Sequence, residues 1–459
     1  MFLLSTKIRN RQQNIAMSSA LITARYLITP TSGGVITIEH AGIIVDEAGL
    51  IAAVDSAEAL IGKGEFTTRL DLPNHILAPG FVNAHCHAAM TLLRGAADDL
   101  PLQRWLTERI WPMEGALVDE HFVRVGTQLA AAEMLLGGTT TCVDMYFYSK
   151  AAALSFLSLG QRAVLALPVI DFATRYAADV DAYITTGLQV RDEFAGEPLL
   201  SFALAPHAPY TAADSTFQKV LAYACELGIP VHTHLQETAQ EVSDALAQCS
   251  ERPTARLARL GVLSPDFFAA HGVHLNATDI ATLAQHGASV VHCPSSNLKL
   301  ASGLAPIAAL LKAGVNVGLG TDGAASNNRL DMFEEMRLAA LIGKVQANDA
   351  SAVTAAQALH MATLGGALAS GIGEHVGSLE TGKAADMIAV SLAAPSMQPL
   401  FDPVSHFVYA AARADLTHVW VAGQPRLTDC VPSAGISQAM AELPSQILQF
   451  TERVNALRN

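Results

Sequence analysis

The segment HILAPGFVNAHCH, residues 75–87, decides the fold, because an apolar stretch typical of a β-strand runs directly into two histidines. We predict a strand over His75–Val82, with His85 and His87 just beyond its carboxyl end. Residues i and i+2 of an extended chain point to the same side, so both imidazoles can reach one ion. An isolated H-x-H pair is more often structural than metal-binding, so this metal-site hypothesis needs further ligands elsewhere.

Further along the chain, short apolar segments typical of β-strands alternate with segments of helical periodicity. Seven further strands are predicted, at Thr139–Val143, Ala163–Val169, Leu199–Ala205, Pro230–His234, Phe267–His271, Ser289–Cys293 and Val315–Gly320. The gaps contain segments of helical periodicity, for example Glu120–Leu136, Thr216–Leu227 and Ile307–Lys312. Eight βα units in roughly 290 residues predict an α/β fold with a closed parallel (β/α)8 TIM-type barrel.

Both ends of the chain have a different sequence pattern, made of short segments typical of β-strands. Residues 20–54 alternate short apolar runs with turn residues, including DEAG at 46–49, and similar patterns return at 385–392 and 416–427. So few strands cannot make two stable sheets, which predicts that the ends pair with each other. We therefore expect a small composite β-sandwich from residues 18–78 and 372–435, a barrel over 79–371 and a polar helical tail over 436–459. Residues 1–17, which end at a second methionine, are a possible extension.

Composition limits the partners that the protein can have. The 459 residues are 51% hydrophobic and 15% charged, with a net charge of −14, so the chain can build a large core and repels nucleic acids and anionic membranes. No apolar run reaches the roughly 18 residues that a membrane span needs. The six cysteines are scattered, which favours reduced thiols in a cytoplasmic protein.

Polar residues follow several of the predicted strands at the end where a barrel places its site. His85 and His87 follow the first strand, His234 ends the fifth, His271 ends the sixth, and Asp322 follows the eighth. The carboxyl ends of barrel strands meet at one mouth. Imidazoles and a carboxylate are ligands that zinc prefers, and a catalytic zinc keeps one position for water. A third histidine and an aspartate at these strand ends strengthen the prediction of one metal site.

Four motifs carry a family resemblance: PGFVNAHCHAAMTLLRG (79–95), VHTHLQET (231–238), HCPSSNLKLASG (292–303) and LGTDGAASNN (319–328). They resemble the amidohydrolase superfamily, in its branch of aminohydrolases that act on purines, cytosine and triazines. Within that branch the 5-methylthioadenosine/S-adenosylhomocysteine deaminases are the most similar. The resemblance extends from about residue 18 to 435.

The resemblance implies a ligand set for one divalent metal per subunit, with zinc favoured and iron or manganese open. The implied ligands are His85, His87, His234 and Asp322. Two-metal members of the superfamily add a carboxylated lysine after the fourth strand. No lysine lies between residues 151 and 218, so a single metal is expected.

The resemblance also implies catalytic roles. Glu237 would move protons between water and the ring nitrogen, as one carboxyl group near the metal can do. Asp322 would accept a proton from the attacking water, and His271 would orient that water. His232 shares a face with His234 but lies deeper, so we expect it to pack behind the ligands.

Substrate contacts are implied for residues of the connections after strands one and four. Glu114 matches a position that accepts hydrogen bonds from ribose hydroxyls, and His207 matches a nucleoside contact. Trp105 or Trp111 could wall the apolar side of the pocket. Beyond strand three only Arg175 could pair with a homocysteine carboxylate, which favours methylthioadenosine or adenosine over S-adenosylhomocysteine.

These features predict a hydrolytic deaminase that converts a 5′-modified adenosine to the inosine derivative plus ammonia through a metal-activated water. Deamination of a free base (guanine, 8-oxoguanine or cytosine) and triazine hydrolysis are alternatives of the same branch. Amide-bond hydrolysis with two metals and a catalytically silent assembly protein are further alternatives. The expected partner is a small nucleoside rather than a nucleic acid or a membrane, and relatives of this type are often dimers or larger, so a homo-oligomer is expected.

Overall fold

The computed structural model describes residues 19–458 and contains two eight-stranded sheets. The prediction of an extension over residues 1–17 lies outside the described residues. The strands are β1 (Ala20–Thr31), β2 (Gly34–Val45), β3 (Ile51–Ser56), β4 (Thr68–Pro79), β5 (Phe81–Cys86), β6 (Thr139–Asp144), β7 (Arg162–Val169), β8 (Leu200–Pro206), β9 (Val231–Leu235), β10 (Phe267–His271), β11 (Ser289–His292), β12 (Val317–Leu319), β13 (Met387–Ser391), β14 (Leu416–Val421), β15 (Gln424–Thr428) and β16 (Val431–Pro432).

Strands β5 to β12 form a parallel sheet in sequential order, which confirms the predicted TIM-type barrel. The Asp322 N–H donates to the His85 carbonyl at 3.0 Å and brings the end of β12 back to β5. A Cβ at Gly320 would lie 2.8 Å from His85, so this close approach needs glycine. Small apolar side chains such as Val82, Ala166 and Ala203 fill the interior, which is a packed core rather than a channel.

Helices connect these strands and cover the barrel. The α-helices are α1 (Ala57–Ile61), α2 (Leu102–Trp105), α3 (Trp111–Leu117), α4 (Glu120–Leu135), α5 (Ser149–Leu159), α6 (Val180–Glu193), α7 (Asp214–Leu227), α8 (Ala239–Cys249), α9 (Pro253–Arg259), α10 (Ala277–His286), α11 (Pro294–Lys299), α12 (Ile307–Lys312), α13 (Ala324–Asn327), α14 (Met332–Ala347), α15 (Ala355–His360), α16 (Gly366–Ala369), α17 (Pro403–Tyr409) and α18 (Ala434–Arg458). The three helical segments named from the sequence correspond to α4, α7 and α12, each within two residues at either end.

The predicted first barrel strand was placed wrongly. His75–Pro79 belongs to β4 of the second sheet, and the barrel strand is Phe81–Cys86, so His85 lies within it rather than after it. Residues 76–82 (ILAPGFV) carry only apolar side chains or glycine and are all buried, so hydropathy gives no sign of the crossing at Gly80. The other seven predicted strands match β6 to β12 within two residues at each end.

The second sheet combines strands from both chain ends in the order β16-β15-β14-β13-β4-β1-β2-β3, as the sequence predicted. The DEAG segment makes the turn between antiparallel β2 and β3. The sheet is curved, so that Leu50, just before β3, forms an isolated β-bridge with Ala384, which precedes β13. The enclosed core includes Ile43, Leu77 and Trp420.

The carboxyl-terminal helix α18 packs on the barrel helices through one apolar seam. Its buried residues are Ile436, Leu443, Phe450 and Val454. The Phe450 ring meets the Phe122 ring of α4 edge-on at 5.3 Å. The predicted helical tail is therefore a packed helix, and its exposed side carries polar residues together with Met440, Leu448 and Leu457.

All six cysteines are free thiols. Cys86, Cys142 and Cys293 are buried in the barrel, whereas Cys225, Cys249 and Cys430 are exposed. Within residues 19–458 no helix has the length and apolarity to cross a bilayer.

The two sheets are joined by a buried ion pair that we expect to stabilise the whole chain. Arg162 at the start of β7 donates to both oxygens of Asp386, at 2.9 and 3.1 Å. Arg162→Met leaves a buried carboxylate without its partner, so the free energy of unfolding should fall by about 3–5 kcal/mol. Denaturant unfolding measures this change. Arg104→Met removes an exposed pair with Glu108 and should leave stability unchanged; an equal effect of the two variants would contradict the assignment.

Candidate metal centre and substrate pocket

The barrel brings the predicted ligands to one mouth. His85 lies near the end of β5 and His87 just after it, whereas His234 lies in β9. His271 ends β10 and Asp322 follows β12, with φ values of 74° and 60°. This left-handed conformation is uncommon outside glycine, although Asp and His adopt it more often than most residues, and it turns the chain sharply out of each strand into the mouth.

The inward atoms of these side chains lie close enough to share one ion. His87 Nε2 lies 3.3 Å from His234 Nε2 and 3.3 Å from Asp322 Oδ1, and His85 Nε2 lies 3.5 Å from the same oxygen. Potential ligand atoms of His85, His87 and Asp322 all lie within 4.8 Å of one another. Those of His85, His234 and His271 do as well, so His271 is also within reach of an ion at this place.

Hydrogen bonds on the outer side of the rings set their tautomers. Three rings have Nδ1 at an oxygen acceptor: His87 at the Met145 carbonyl (2.6 Å), His234 at the His207 carbonyl (2.7 Å) and His271 at the Asn297 side-chain oxygen (2.9 Å). Because a carbonyl only accepts, Nδ1 must carry the proton, and a neutral ring then turns the lone pair of Nε2 inward. This is the arrangement of histidines that bind metals in proteins.

His85 reaches the same tautomer through a second histidine. His232 Nδ1 donates to the Phe268 carbonyl at 3.0 Å, so His232 Nε2 is left to accept from His85 Nδ1, 2.8 Å away. The His232 ring also stacks on the Phe268 ring with centroids 4.1 Å apart. His232 therefore lies behind the ligands, as the sequence led us to expect, and holds the orientation of His85.

The residues present fit a divalent cation. His85 Nε2 is buried and has no hydrogen-bond partner among residues 19–458, and the Nε2 lone pairs of His87 and His234 face each other. Such groups are unfavourable unless a cation lies between them. Burial first, and then the neighbouring His87, lower the pKa of His85 to about 4, so the ring is neutral near pH 7 and its lone pair is free to bind a cation.

Asp322 is held by hydrogen bonds that leave one oxygen towards the histidines. Its Oδ2 accepts from Ser296 Oγ at 2.7 Å and Ser326 Oγ at 2.8 Å. Burial raises the pKa of Asp322, but the adjacent imidazoles of His85, His87 and His271 outweigh it and lower the pKa well below the usual value. The side chain is therefore an anion at neutral pH.

Glu237 lies next to this cluster in a buried position. Its Oε2 is 3.7 Å from His271 Nε2, and its Oε1 accepts from Ser302 Oγ at 3.4 Å. Burial raises the pKa of Glu237 above the usual value despite the opposing effect of His271. A buried carboxyl group beside an imidazole is suited to hold a proton and to pass it on.

A cavity of about 280 Å³ opens over the cluster. Its wall includes all of the predicted substrate residues, namely Trp105, Glu114, His207 and Glu237, together with Trp111 and Arg175. Glu114 Oε1 accepts from the Tyr146 hydroxyl at 2.6 Å, and desolvation raises the pKa of Glu114 to about 7. The rest of the wall is largely aromatic and aliphatic.

Sequence reasoning missed several polar partners of the site. Ser296 and Asn297 lie inside the quoted HCPSSNLKLASG motif, but their hydrogen bonds to Asp322 and His271 need the fold to be known. Tyr146 comes two residues after β6, so the rule that polar residues beyond barrel strands face the mouth could have found it.

The fold and the site define a metal-dependent (β/α)8-barrel hydrolase. The amidohydrolase family model matches residues 76–426, and the chain belongs to this family.

Relatives and solved structures agree with this assignment. A 5-methylthioadenosine/S-adenosylhomocysteine deaminase of Teredinibacter turnerae is 48% identical over 391 residues, which are 85% of this chain and 88% of the relative. The crystal structure of a zinc-bound adenosine deaminase from Xanthomonas campestris superposes with a TM-score of 0.93 at 44% identity, over 96% of this chain and 99% of that one. Atrazine chlorohydrolase from Arthrobacter aurescens shares the fold, with a TM-score of 0.85 at 24% identity over 93% and 100% of the two chains.

The His232 contact predicts a measurable effect on metal affinity. His232→Leu removes the acceptor of His85 Nδ1, so the ring loses its fixed tautomer and metal binding should weaken about 10- to 100-fold. Competition against a chelator of known affinity measures the change. His232→Gln keeps an acceptor oxygen and should lose less; equal affinities of the Leu variant and the unaltered protein would contradict this role of His232.

Proposed function

We propose that the protein is a hydrolytic deaminase of 5′-modified adenosines, which releases ammonia and the inosine derivative. The observation that carries the proposal is the convergence of His85, His87, His234 and Asp322 beside the buried carboxyl of Glu237. Names of relatives 39–48% identical to this chain support the same reaction and substrate class. Zinc in the Xanthomonas campestris structure supports zinc as the single metal.

His85, His87, His234 and Asp322 would hold a divalent ion. Such an ion would lower the pKa of a water molecule towards 7 and so supply the nucleophile at neutral pH.

Proton transfer falls to two carboxyl groups of the chain. Glu237 gives a proton to the ring nitrogen next to the amine-bearing carbon, which makes that carbon a better electrophile. Asp322 accepts a proton from the attacking water, and the C–O bond forms. Asp322 then protonates the amine, the C–N bond breaks with loss of ammonia, and Glu237 takes the hydroxyl proton as the carbonyl forms.

His271 orients the attacking water in this proposal. The acceptor contact with Asn297 leaves His271 Nε2 pointing towards the reacting groups. Its Nε2 also lies 3.7 Å from Glu237 Oε2, so the imidazole and the proton-transferring carboxyl group face the same part of the cavity.

The nucleoside would lie in the cavity above these groups. Glu114 accepts one hydrogen bond from Tyr146 and retains an oxygen for the ribose hydroxyls. His207 contacts the nucleoside, and Trp105 forms part of the apolar wall. Arg175 lies in the same wall and could pair with a carboxylate at the 5′ end of the nucleoside. Activity should therefore be compared on substrates with carboxylate-bearing and with neutral 5′ groups. We also propose that the protein is a homo-oligomer and that it is located in the cytoplasm.

Glu237→Gln should separate proton transfer from metal binding. The amide cannot give and take protons, so kcat on methylthioadenosine should fall at least about 100-fold. The metal ligands are unchanged, so elemental analysis should still find one metal per chain. Adenosine absorbance follows turnover. Near-normal turnover would remove Glu237 from the proton-transfer role, and no turnover of any adenosine derivative by the unaltered metal-loaded enzyme would overturn the substrate class.

Glu114→Ala should distinguish nucleosides from free bases. Loss of the hydrogen bonds to the ribose should raise KM for a nucleoside about tenfold, the effect of one or two such contacts. The rate on free bases should not change. Steady-state kinetics on adenosine, adenine and guanine measure both effects, and unchanged nucleoside kinetics with strong free-base activity would favour a base deaminase.

A further inference from the structure

The turn between β9 and α8 carries Glu237 and is held unusually firmly. Gln236 has a φ of 48°, in the left-handed region that a non-glycine residue rarely adopts. Its backbone carbonyl accepts from the His274 N–H at 2.9 Å. A conformation of this kind persists only where the surroundings fix it.

One fixing contact comes from the first turn of α8. Glu241 is only 9% exposed, and its two carboxylate oxygens accept from the N–H groups of Gln236 and Glu237, each at 2.9 Å. Burial raises the pKa of Glu241 to about 7, and in the ionised form these two bonds are charge-assisted and stronger than bonds between neutral groups. The carboxylate thus holds both peptide units that set the direction of the Glu237 side chain.

This contact differs from ordinary helix capping. Thr238 is the N-cap of α8 and accepts from the Glu241 N–H at 3.2 Å. In a capping box, a glutamate at the Glu241 position bonds the N-cap N–H. Here its carboxylate instead reaches one and two residues further back, to the N–H groups of Glu237 and Gln236. These two bonds do not cap the helix. They fix the backbone that carries the Glu237 side chain.

The Gln236 side chain holds the same turn from the other side. Its amide NH₂ donates to the His274 carbonyl and to Asp279 Oδ2, at 3.0 and 3.1 Å. Its amide oxygen accepts from the N–H and the hydroxyl of Thr254, at 3.0 and 2.7 Å. The turn therefore cannot rotate without breaking bonds to α9 and α10.

We propose that Glu241 is a positioning residue for the proton-transferring carboxyl group of Glu237, and that it acts by clamping the backbone of residues 236–237. The inference rests on the proposed function, in which Glu237 must meet both His271 and the reacting ring. A displacement of about 1 Å can cost about 100-fold in rate.

A double-mutant cycle tests this role. Glu241→Gln replaces one acceptor oxygen with a donor that opposes an N–H group, so kcat should fall about 10- to 100-fold with KM within twofold. In a Glu237→Gln background the same change should have no further effect on kcat, because Glu241 acts through Glu237. An undiminished loss in that background, or an unchanged kcat in the single variant, would overturn the proposal.

Hydrogen exchange tests the clamp independently of activity. In Glu241→Gln, amides of a peptide that spans residues 235–240 should exchange at least about tenfold faster, as expected when charge-assisted bonds are lost. Asp244→Asn, an exposed change on the same helix, should leave exchange, kcat and metal content unchanged. Glu241→Asp, which keeps the charge but cannot span both N–H groups, should give an intermediate result if the Gln variant does not fold.

The two proposals fail in different ways. If the unaltered enzyme turns over no adenosine derivative but exchange still accelerates in Glu241→Gln, the proposed function is wrong and the clamp is real. Unchanged exchange in the Gln variant of an active enzyme would overturn the clamp alone.

Discussion

The structure depends on holding several imidazole lone pairs and one carboxylate oxygen around a single point. Without a cation, the Nε2 atoms of His87 and His234 would oppose each other at 3.3 Å, and His85 Nε2 would have no partner. Each ring is kept in place from its outer side by a carbonyl, an amide oxygen or His232. The free energy for this arrangement comes from the barrel, since the centre itself is unfavourable until it binds a metal.

The barrel provides this support through packing and close backbone contacts. Small side chains fill its interior and let β12 approach β5, where Gly320 meets His85. The left-handed conformations at His271, Asp322 and Gln236 turn the chain into the mouth at three strand ends. Each is secured by hydrogen bonds from neighbouring elements, so strain at the site is balanced by the stability of the scaffold.

The fold was largely readable from the sequence because its signal is local. Alternating apolar strands and amphipathic helices located seven barrel strands and the helices α4, α7 and α12 within two residues. The same reasoning failed at His75–Val82, where one apolar run passes from the second sheet into the barrel. Strand pairing decides where one sheet ends and the next begins, and pairing is not a local property.

The sequence by itself determined the residue types at the mouth, because H-x-H, VHTHLQE and GTDG stand at strand ends and strand ends of a barrel meet. Only the tertiary structure decided which nitrogen of each ring faces inward. Partners such as Met145, Phe268 and Asn297 are distant in the sequence or carry no chemical signal of their own. The same holds for Glu241, whose hold on Glu237 depends on a turn conformation that spacing does not reveal.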